Sequence, residues 1–144
     1  MIDAAAPGAQ DDSVSPMPTR ILLIDDEETV TRVCGEMLES AGYVVRVEND
    51  SRRGVQAAQE FRPDVAVLDF RMPGLSGADL AWAFAASQDL RELPIVVLTG
   101  FPDAARRSSL PPGKVQILQK PMTLGVLVEA IETCLASAAG REAR

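Results

Sequence analysis

The sequence predicts an α/β fold: an open, doubly wound sheet of five parallel strands in the order 2-1-3-4-5. Five short runs rich in Val, Ile and Leu alternate with segments that mostly have helical periodicity. Continuous apolar runs are typical of parallel strands that are buried on both faces, and right-handed crossovers then place helices on both sides of the sheet. With 144 residues and 47% hydrophobic content, the chain has enough apolar material for the core of one domain.

The domain boundaries follow from changes in composition. Residues 1–18 mix Ala, Pro, Gly, Asp and Ser without periodicity, so we expect a disordered leader there. The folded domain is predicted over residues 19–137, and residues 138–144 are expected to form a short C-terminal tail.

The first half of the domain begins with a strand predicted over Ile21–Ile24. The helix that follows ends before Gly42, which supplies a C-terminal stop, and a second strand is predicted over Tyr43–Val47. Either Asp50 or Ser51 is expected to cap the second helix. The apolar stripe of the first helix comprises Val30, Val33, Cys34, Met37, Leu38 and Ala41.

The third and fourth strands enclose a helix with a clear start signal. Val65–Leu68 and Ile95–Leu98 are the two apolar runs. Between them, Ser76 and Asp79 have the spacing of a capping box, in which each residue satisfies a backbone N–H at the beginning of a helix.

The fourth helix is predicted to be shortened. Asp103–Leu110 allows little more than two turns before Pro111–Gly113, whose two prolines and glycine cannot continue a helix. The fifth strand is predicted over Val115–Leu118. Thr123 is expected to cap the last helix, which has the most regular apolar stripe in the chain.

Composition excludes several classes of protein. A formal net charge of -7 argues against a nucleic-acid partner, since such proteins need a basic face. We expect a cytoplasmic protein, because no run approaches the roughly 20 apolar residues of a membrane-spanning helix. Cys34 and Cys134 lie on helical apolar stripes, which disfavours a disulfide. The chain has no histidine, so it has neither a Ser-His pair nor a histidine metal site.

Residues suited to phosphoryl chemistry follow four of the five strands: Asp25 and Asp26, Asp69, Thr99 and Lys120. The carboxyl ends of parallel strands meet at one edge of the sheet, and ligands bind there beside the strands at which the order reverses. Three clustered carboxylates repel one another unless a cation joins them. Mg²⁺ is the cation that fits, because it prefers oxygen ligands and is commonly bound by one or two carboxylates together with a phosphate oxygen.

The remaining residues match the transfer of a phosphoryl group. Lys120 offers a cation and Thr99 a hydroxyl donor to phosphoryl oxygens, and Asp69 is the carboxylate that could accept phosphorus. Taken singly, each residue has a plainer interpretation, such as acids at a helix N-terminus or a solvated surface lysine. Their coincidence at four strand ends favours the shared site.

Four sequence motifs resemble the receiver domain of two-component response regulators, a CheY-like, flavodoxin-like fold. The resemblance extends over about residues 20–136. The motifs are ILLIDDE at Ile21–Glu27, VLDFRMPG at Val67–Gly74, VVLTG at Val96–Gly100 and QKP at Gln119–Pro121.

The resemblance implies a phosphoacceptor and its partners. Asp69 would take a phosphoryl group from the phosphohistidine of a histidine kinase or a histidine phosphotransfer protein, and Thr99 and Lys120 would contact the phosphoryl oxygens. The bond before Pro121 would be cis. Receivers also slowly hydrolyse their own aspartyl phosphate, but the chain is expected to be a signalling module and not an enzyme.

The resemblance also implies a metal site. Asp26, Asp69 and the backbone carbonyl of Arg71 would form the Mg²⁺ site, with Asp25 acting largely through water. Arg71 and Phe101 occupy the positions that modulate water access in this family.

Two departures from the family pattern affect signalling. Ile117 stands where receivers commonly have a Tyr or Phe whose ring swings inward, so the signal is expected to depend on Thr99 and on loop order. The shortened fourth helix alters a surface that many receivers use for dimerisation, and we expect a monomer or weak dimer. Only Ser137–Arg144 follow the last predicted helix. We therefore expect a stand-alone receiver that contacts a downstream protein target when phosphorylated, or that serves as a phosphate shuttle or sink.

Two other classes of protein fit the sequence less well. A haloacid-dehalogenase-like phosphatase also uses an aspartyl nucleophile with magnesium, but it needs a second acid two residues after the first. Asp69 is followed at that position by Arg71, and Asp25 by Glu27, so the match is poor. A flavodoxin-like binding module would need a phosphate loop or aromatic flavin contacts, and the sequence has neither.

Overall fold

The structure is a computed structural model that describes residues 17–142. The predicted leader lies outside the described residues except for its last two positions. The elements, in chain order, are β1 Arg20–Ile24, α1 Glu28–Ser40, β2 Val44–Glu48, a 3₁₀ turn at Ser51–Arg53, α2 Gly54–Phe61, β3 Val65–Asp69, α3 Gly77–Ala86, β4 Ile95–Thr99, α4 Pro102–Arg107, β5 Val115–Gln119 and α5 Leu124–Glu142.

The five strands form one parallel sheet in the order β2-β1-β3-β4-β5, which confirms the predicted fold class. Each strand lies within one residue of its predicted bounds. The prediction succeeded because both faces of a parallel sheet are covered by helices, so its strands read as uninterrupted apolar runs.

Alternate residues of the central strands supply two separate cores. One core packs against α2 and α3 and includes Leu22, Ile24 and Leu68. The other packs against α1 and α5 and includes Leu23 and Val67. This alternation fixes the register of each strand, because a shift by one residue would exchange the two faces.

Two of the predicted helix caps are confirmed. The Ser76 side chain accepts a hydrogen bond from the Asp79 N–H, and the Asp79 carboxylate accepts one from the Ser76 N–H, which completes the capping box. Thr123 Oγ1 accepts a hydrogen bond from the Val126 N–H, at 3.2 Å. Ahead of α2, Asp50 is the residue that caps, since its carboxylate accepts from the Arg52 N–H.

The helices differ from expectation in two places. The last helix continues to Glu142, so the predicted tail at residues 138–144 begins inside it. Alanine-rich sequence has high helix propensity even where no apolar stripe marks it. In α1, Leu38 is buried, but Val30, Val33 and Met37 are 42%, 47% and 41% exposed. Their apolar stripe is wider than the sheet surface that α1 covers.

The shortened fourth helix is confirmed, since α4 has six residues. Across residues 17–142, none of the helices is both long enough and apolar enough to traverse a lipid bilayer.

Candidate functional site

The predicted site residues lie at one edge of the sheet. Asp69 ends β3 and pairs with Leu98 of β4, and Thr99 ends β4 and pairs with Gln119 of β5. Asp25 follows β1, whose last residue pairs with Leu68 next to the acceptor position. Parallel pairing therefore gathers side chains that are far apart in sequence.

Asp25, Asp26 and Asp69 form a compact acidic cluster. One carboxylate oxygen from each residue lies within 4.8 Å of the other two. Asp25 is only 3% exposed. Its pKa is raised to about 6. Burial is the main cause, the negative charges of Asp69 and Asp26 act in the same direction, and a hydrogen bond from the Glu27 N–H together with the charge of Lys120 opposes the rise. The cluster therefore concentrates unfavourable negative charge where water is scarce.

Lys120 is the cation of the site. Its Nζ lies 2.6 Å from Asp69 Oδ1 and 4.0 Å from Asp25 Oδ2. Burial alone would lower the pKa of Lys120, but the hydrogen bond and charge of Asp69 outweigh that effect and raise it. One ammonium group beside a cluster of three carboxylates leaves a net negative site. The atoms that the cluster offers to a metal are all carboxylate oxygens, so the site fits a hard divalent cation such as Mg²⁺.

Thr99 is buried beside this cluster, with 3% of its surface exposed. Its Oγ1 accepts a hydrogen bond of 2.9 Å from the Phe101 N–H. Its carbonyl accepts one of 2.7 Å from the Lys120 N–H, which ties the ends of β4 and β5 together. A hydroxyl that accepts one hydrogen bond still has a proton to donate.

A cation–π contact joins the segment that follows Asp69 to the segment that follows Thr99. The Arg71 guanidinium carbon lies 4.9 Å from the centre of the Phe101 ring, and that phenylalanine is 61% exposed. The Lys120-Pro121 bond is cis, as the resemblance implied. Ile117 is half-buried within β5 and pairs with Val97.

Two polar side chains near the site were not predicted as part of it. Asn49 Nδ2 donates to the Asp25 carbonyl, and Ser51 Oγ donates to the Pro73 carbonyl. The sequence marked Ser51 only as a possible helix cap and gave no signal for Asn49, because both contacts depend on strand order.

An apolar groove adjoins the acidic cluster. It has a volume of about 550 Å³ and is lined along one side by α1 and along the other by the β5–α5 connection. Lys120 and Glu27 line the end of the groove nearest the site. We call it the α1–α5 groove; its apolar lining includes Val30, Val33, Met37, Met122 and Leu124.

Comparison with known proteins gives consistent matches. The family model of the response regulator receiver domain matches residues 21–132 of this chain. The chain is 34% identical over 128 residues to the transcriptional regulatory protein PdtaR of Mycobacterium tuberculosis, covering 87% of this chain and 60% of that protein. It is 33% identical to the response regulator MprA of Mycolicibacterium vanbaalenii, over 83% of this chain and 51% of that protein. The chain thus spans between about half and three-fifths of the length of these relatives.

Solved structures agree with the sequence matches. The chemotaxis response regulator CheY4 of Vibrio cholerae superposes with a TM-score of 0.74 at 25% identity, covering 83% of this chain and 100% of that one. The receiver domain of a sensor histidine kinase from Pseudomonas aeruginosa, solved with magnesium in its active-site cleft, gives 0.75 at 28% identity, covering 83% and 99%. Phosphoryl acceptance and Mg²⁺ binding at an acidic pocket are general features of such domains. The chain belongs to the response regulator receiver domain family of two-component signalling proteins.

Proposed function

We propose that this chain accepts a phosphoryl group on Asp69, in a Mg²⁺-dependent reaction, from the phosphohistidine of a histidine kinase or a histidine phosphotransfer protein. The observation that carries the proposal is the 2.6 Å contact between Lys120 Nζ and Asp69 Oδ1 inside a cluster of three carboxylates. A strand-end carboxylate that already faces an ammonium group is prepared to receive a negatively charged group.

Each residue of the site has a role in this transfer. An Asp69 oxygen forms the new bond to phosphorus as the P–N bond to the donor imidazole breaks. Lys120 moves its contact from Asp69 to a phosphoryl oxygen, and the Thr99 hydroxyl donates to another.

Magnesium would be held by Asp25, Asp26, Asp69 and the backbone carbonyl of Arg71, with Asp25 acting largely through water. When bound, it neutralises charge on the carboxylates and on the incoming phosphoryl group. The donor set supports this assignment, since Mg²⁺ is commonly held by one or two carboxylates and retains several waters.

The α1–α5 groove supports a protein as the donor. Its apolar lining reaches the acidic cluster at Lys120 and Glu27, and three of its α1 side chains are more than two-fifths exposed. A helix of the donor that lies on this groove would bring its phosphohistidine to Asp69. The apolar contact would supply affinity, since the reacting groups are small.

The output is proposed to be a contact with a downstream protein, or transfer of the phosphoryl group onward as a shuttle or sink. The chain would work in the cytoplasm as a monomer or weak dimer and would slowly hydrolyse its own aspartyl phosphate. Because Ile117 cannot act as an aromatic switch, the signal would depend on movement of Thr99 towards the phosphoryl group and on order in the β4–α4 loop.

The proposal is tested by incubating the protein with MgCl₂ and acetyl phosphate and measuring the intact mass. We expect a gain of one phosphoryl group that disappears when EDTA removes the metal. Asp69→Asn should abolish the gain, because the amide is a poor nucleophile. Asp103→Asn, at a carboxylate that is not part of the cluster and has 81% side-chain exposure, should leave it unchanged. An unlabelled wild-type protein, or full labelling of Asp69→Asn, would refute the proposal.

A further inference from the structure

We propose that Asn49 and Ser51, on the segment that follows β2, are positioning residues that hold together the two loops of the metal site. The inference rests on the proposed function, because it concerns the same acidic cluster. One loop follows β1 and carries Asp25 and Asp26. The other follows β3 and carries the proposed carbonyl ligand of Arg71.

Ser51 is fixed to the loop that follows β3. It is 2% exposed, and its Oγ donates to the Pro73 carbonyl at 2.8 Å while accepting from the Leu75 N–H at 2.9 Å. The loop approaches closely at Gly74, which has φ +85°, and a Cβ at that position would lie 3.1 Å from Ser51 Oγ. Both hydrogen-bonding functions of the hydroxyl are therefore used within the β3–α3 loop.

Asn49 is fixed to the loop that follows β1. Its Nδ2 donates to the Asp25 carbonyl at 2.7 Å and to Thr31 Oγ1 at 2.9 Å. The Thr31 hydroxyl, 1% exposed, in turn donates to the Glu28 carbonyl at 3.1 Å. Asn49 thus joins the end of β1 to the first turn of α1, and the acidic residues lie between these two points.

These contacts are not explained by helix capping. Asp50 accepts from the Arg52 N–H and so caps the 3₁₀ turn ahead of α2. Ser51, next in the chain, is directed to a different loop.

The acidic cluster explains why such a brace is useful. Asp25 and Asp26, which follow β1, repel Asp69 at the end of β3, so the loops that follow these two strands would separate in the absence of a cation unless other contacts held them. A segment of three residues that binds both loops keeps the oxygens within coordinating distance, so less free energy is spent on ordering them when the metal binds. Asn49 and Ser51 would therefore raise Mg²⁺ affinity without touching the metal.

The test compares Ser51→Ala with the wild-type protein in an Mg²⁺ titration followed by backbone amide NMR shifts at Asp26 and Phe70. We expect the dissociation constant for Mg²⁺ to rise by about tenfold, as for other residues that orient metal ligands. The Mg²⁺ concentration for half-maximal labelling by acetyl phosphate should rise by the same factor. Labelling at saturating Mg²⁺ should match the wild type, because the residues that react are intact.

Ser76→Ala is the matched control. It removes a serine hydroxyl from the same β3–α3 loop, but that hydroxyl accepts from Asp79 N–H within its own helix. Its dissociation constant for Mg²⁺ is expected to equal that of the wild type. If both variants bind Mg²⁺ equally weakly, the effect of Ser51 is general loosening of the loop and the inference is wrong.

The other outcomes are also decisive. Wild-type protein that fails to bind Mg²⁺ would refute the proposed function itself. Normal Mg²⁺ binding by Ser51→Ala would refute only the brace. If Ser51→Ala does not fold, Asn49→Ala decides: weaker Mg²⁺ binding with normal labelling at saturation supports the brace, and unchanged binding overturns it.

Discussion

At the scale of single residues, the acceptor carboxylate is restrained from both sides. Lys120 contacts its side chain at 2.6 Å, and Gly77 lies against its backbone. The Gly77 N–H donates to the Phe70 carbonyl at 2.8 Å, so the start of α3 is bonded to the residue that follows Asp69. A Cβ on Gly77 would lie 2.7 Å from the Asp69 carbonyl oxygen, a distance at which backbone must move.

Gly77→Ala is therefore expected to destabilise the protein and to displace the acceptor. Forcing a methyl group into a packed site costs about 1–3 kcal/mol, so the free energy of unfolding in urea should fall by about that amount. Labelling of Asp69 by acetyl phosphate should also slow, because the end of β3 shifts relative to Lys120. Gly125→Ala is the control, since its Cβ would meet only Thr123 Oγ1, at 3.8 Å. Equal stability losses in the two variants would contradict this account.

At the scale of elements, the apolar stripe of α1 is wider than the surface with which this helix packs against the rest of the protein. Leu38 and Gly35 are buried against the rest of the protein, and the hydrophobic residues that border them remain exposed. Exposed apolar side chains scattered singly need no explanation, but a contiguous set beside a reactive pocket marks a surface for a partner. The helix thus has one apolar side for the fold and, as we propose, another for the phosphodonor.

Met37→Glu is expected to slow labelling by a protein phosphodonor but not labelling by a small molecule. The measurement uses a phosphorylated histidine kinase that labels the wild type. A charge in the α1–α5 groove should lower the rate of this labelling by at least about tenfold, because burying an unpaired carboxylate at an interface costs more than about 1.4 kcal/mol. Labelling by acetyl phosphate should not change. Ser40→Glu adds the same charge to an exposed position of α1 outside the groove and should label normally with both donors. Equal slowing with acetyl phosphate would exclude a docking role for Met37.

At the scale of the whole molecule, the features that follow from regular hydrophobic periodicity could be predicted from the sequence. Strand bounds, strand order and the gathering of Asp25, Asp69 and Lys120 all follow from apolar runs and the geometry of parallel sheets. The contacts of Asn49 and Ser51 could not be predicted, because they cross between strands that are neighbours only in the folded sheet. The end of α5 was also missed, since alanine and serine carry no apolar period.

Because the molecule has a net negative charge, the effect of Mg²⁺ on its free energy of unfolding tests whether the acidic cluster binds the metal. With a formal charge of -7 and three acids in one cluster, the metal-free protein is strained by repulsion. Mg²⁺ at ten times its dissociation constant should add about 1.4 kcal/mol to the free energy of unfolding. NaCl at matched ionic strength should add less, because it only screens charge.

Asp25→Asn tests whether the stabilisation by Mg²⁺ arises at the acidic cluster. The amide keeps an oxygen to accept the Glu27 N–H and removes one buried charge, so the metal-free variant should be more stable than the wild type. Its gain from Mg²⁺ should be smaller, because a ligand charge is lost. Asp103→Asn changes the net charge equally at an exposed position and should retain the full gain. The measurement is thermal unfolding with and without Mg²⁺. If Asp25→Asn gains as much as the wild type, the acidic cluster is not where Mg²⁺ stabilises the fold.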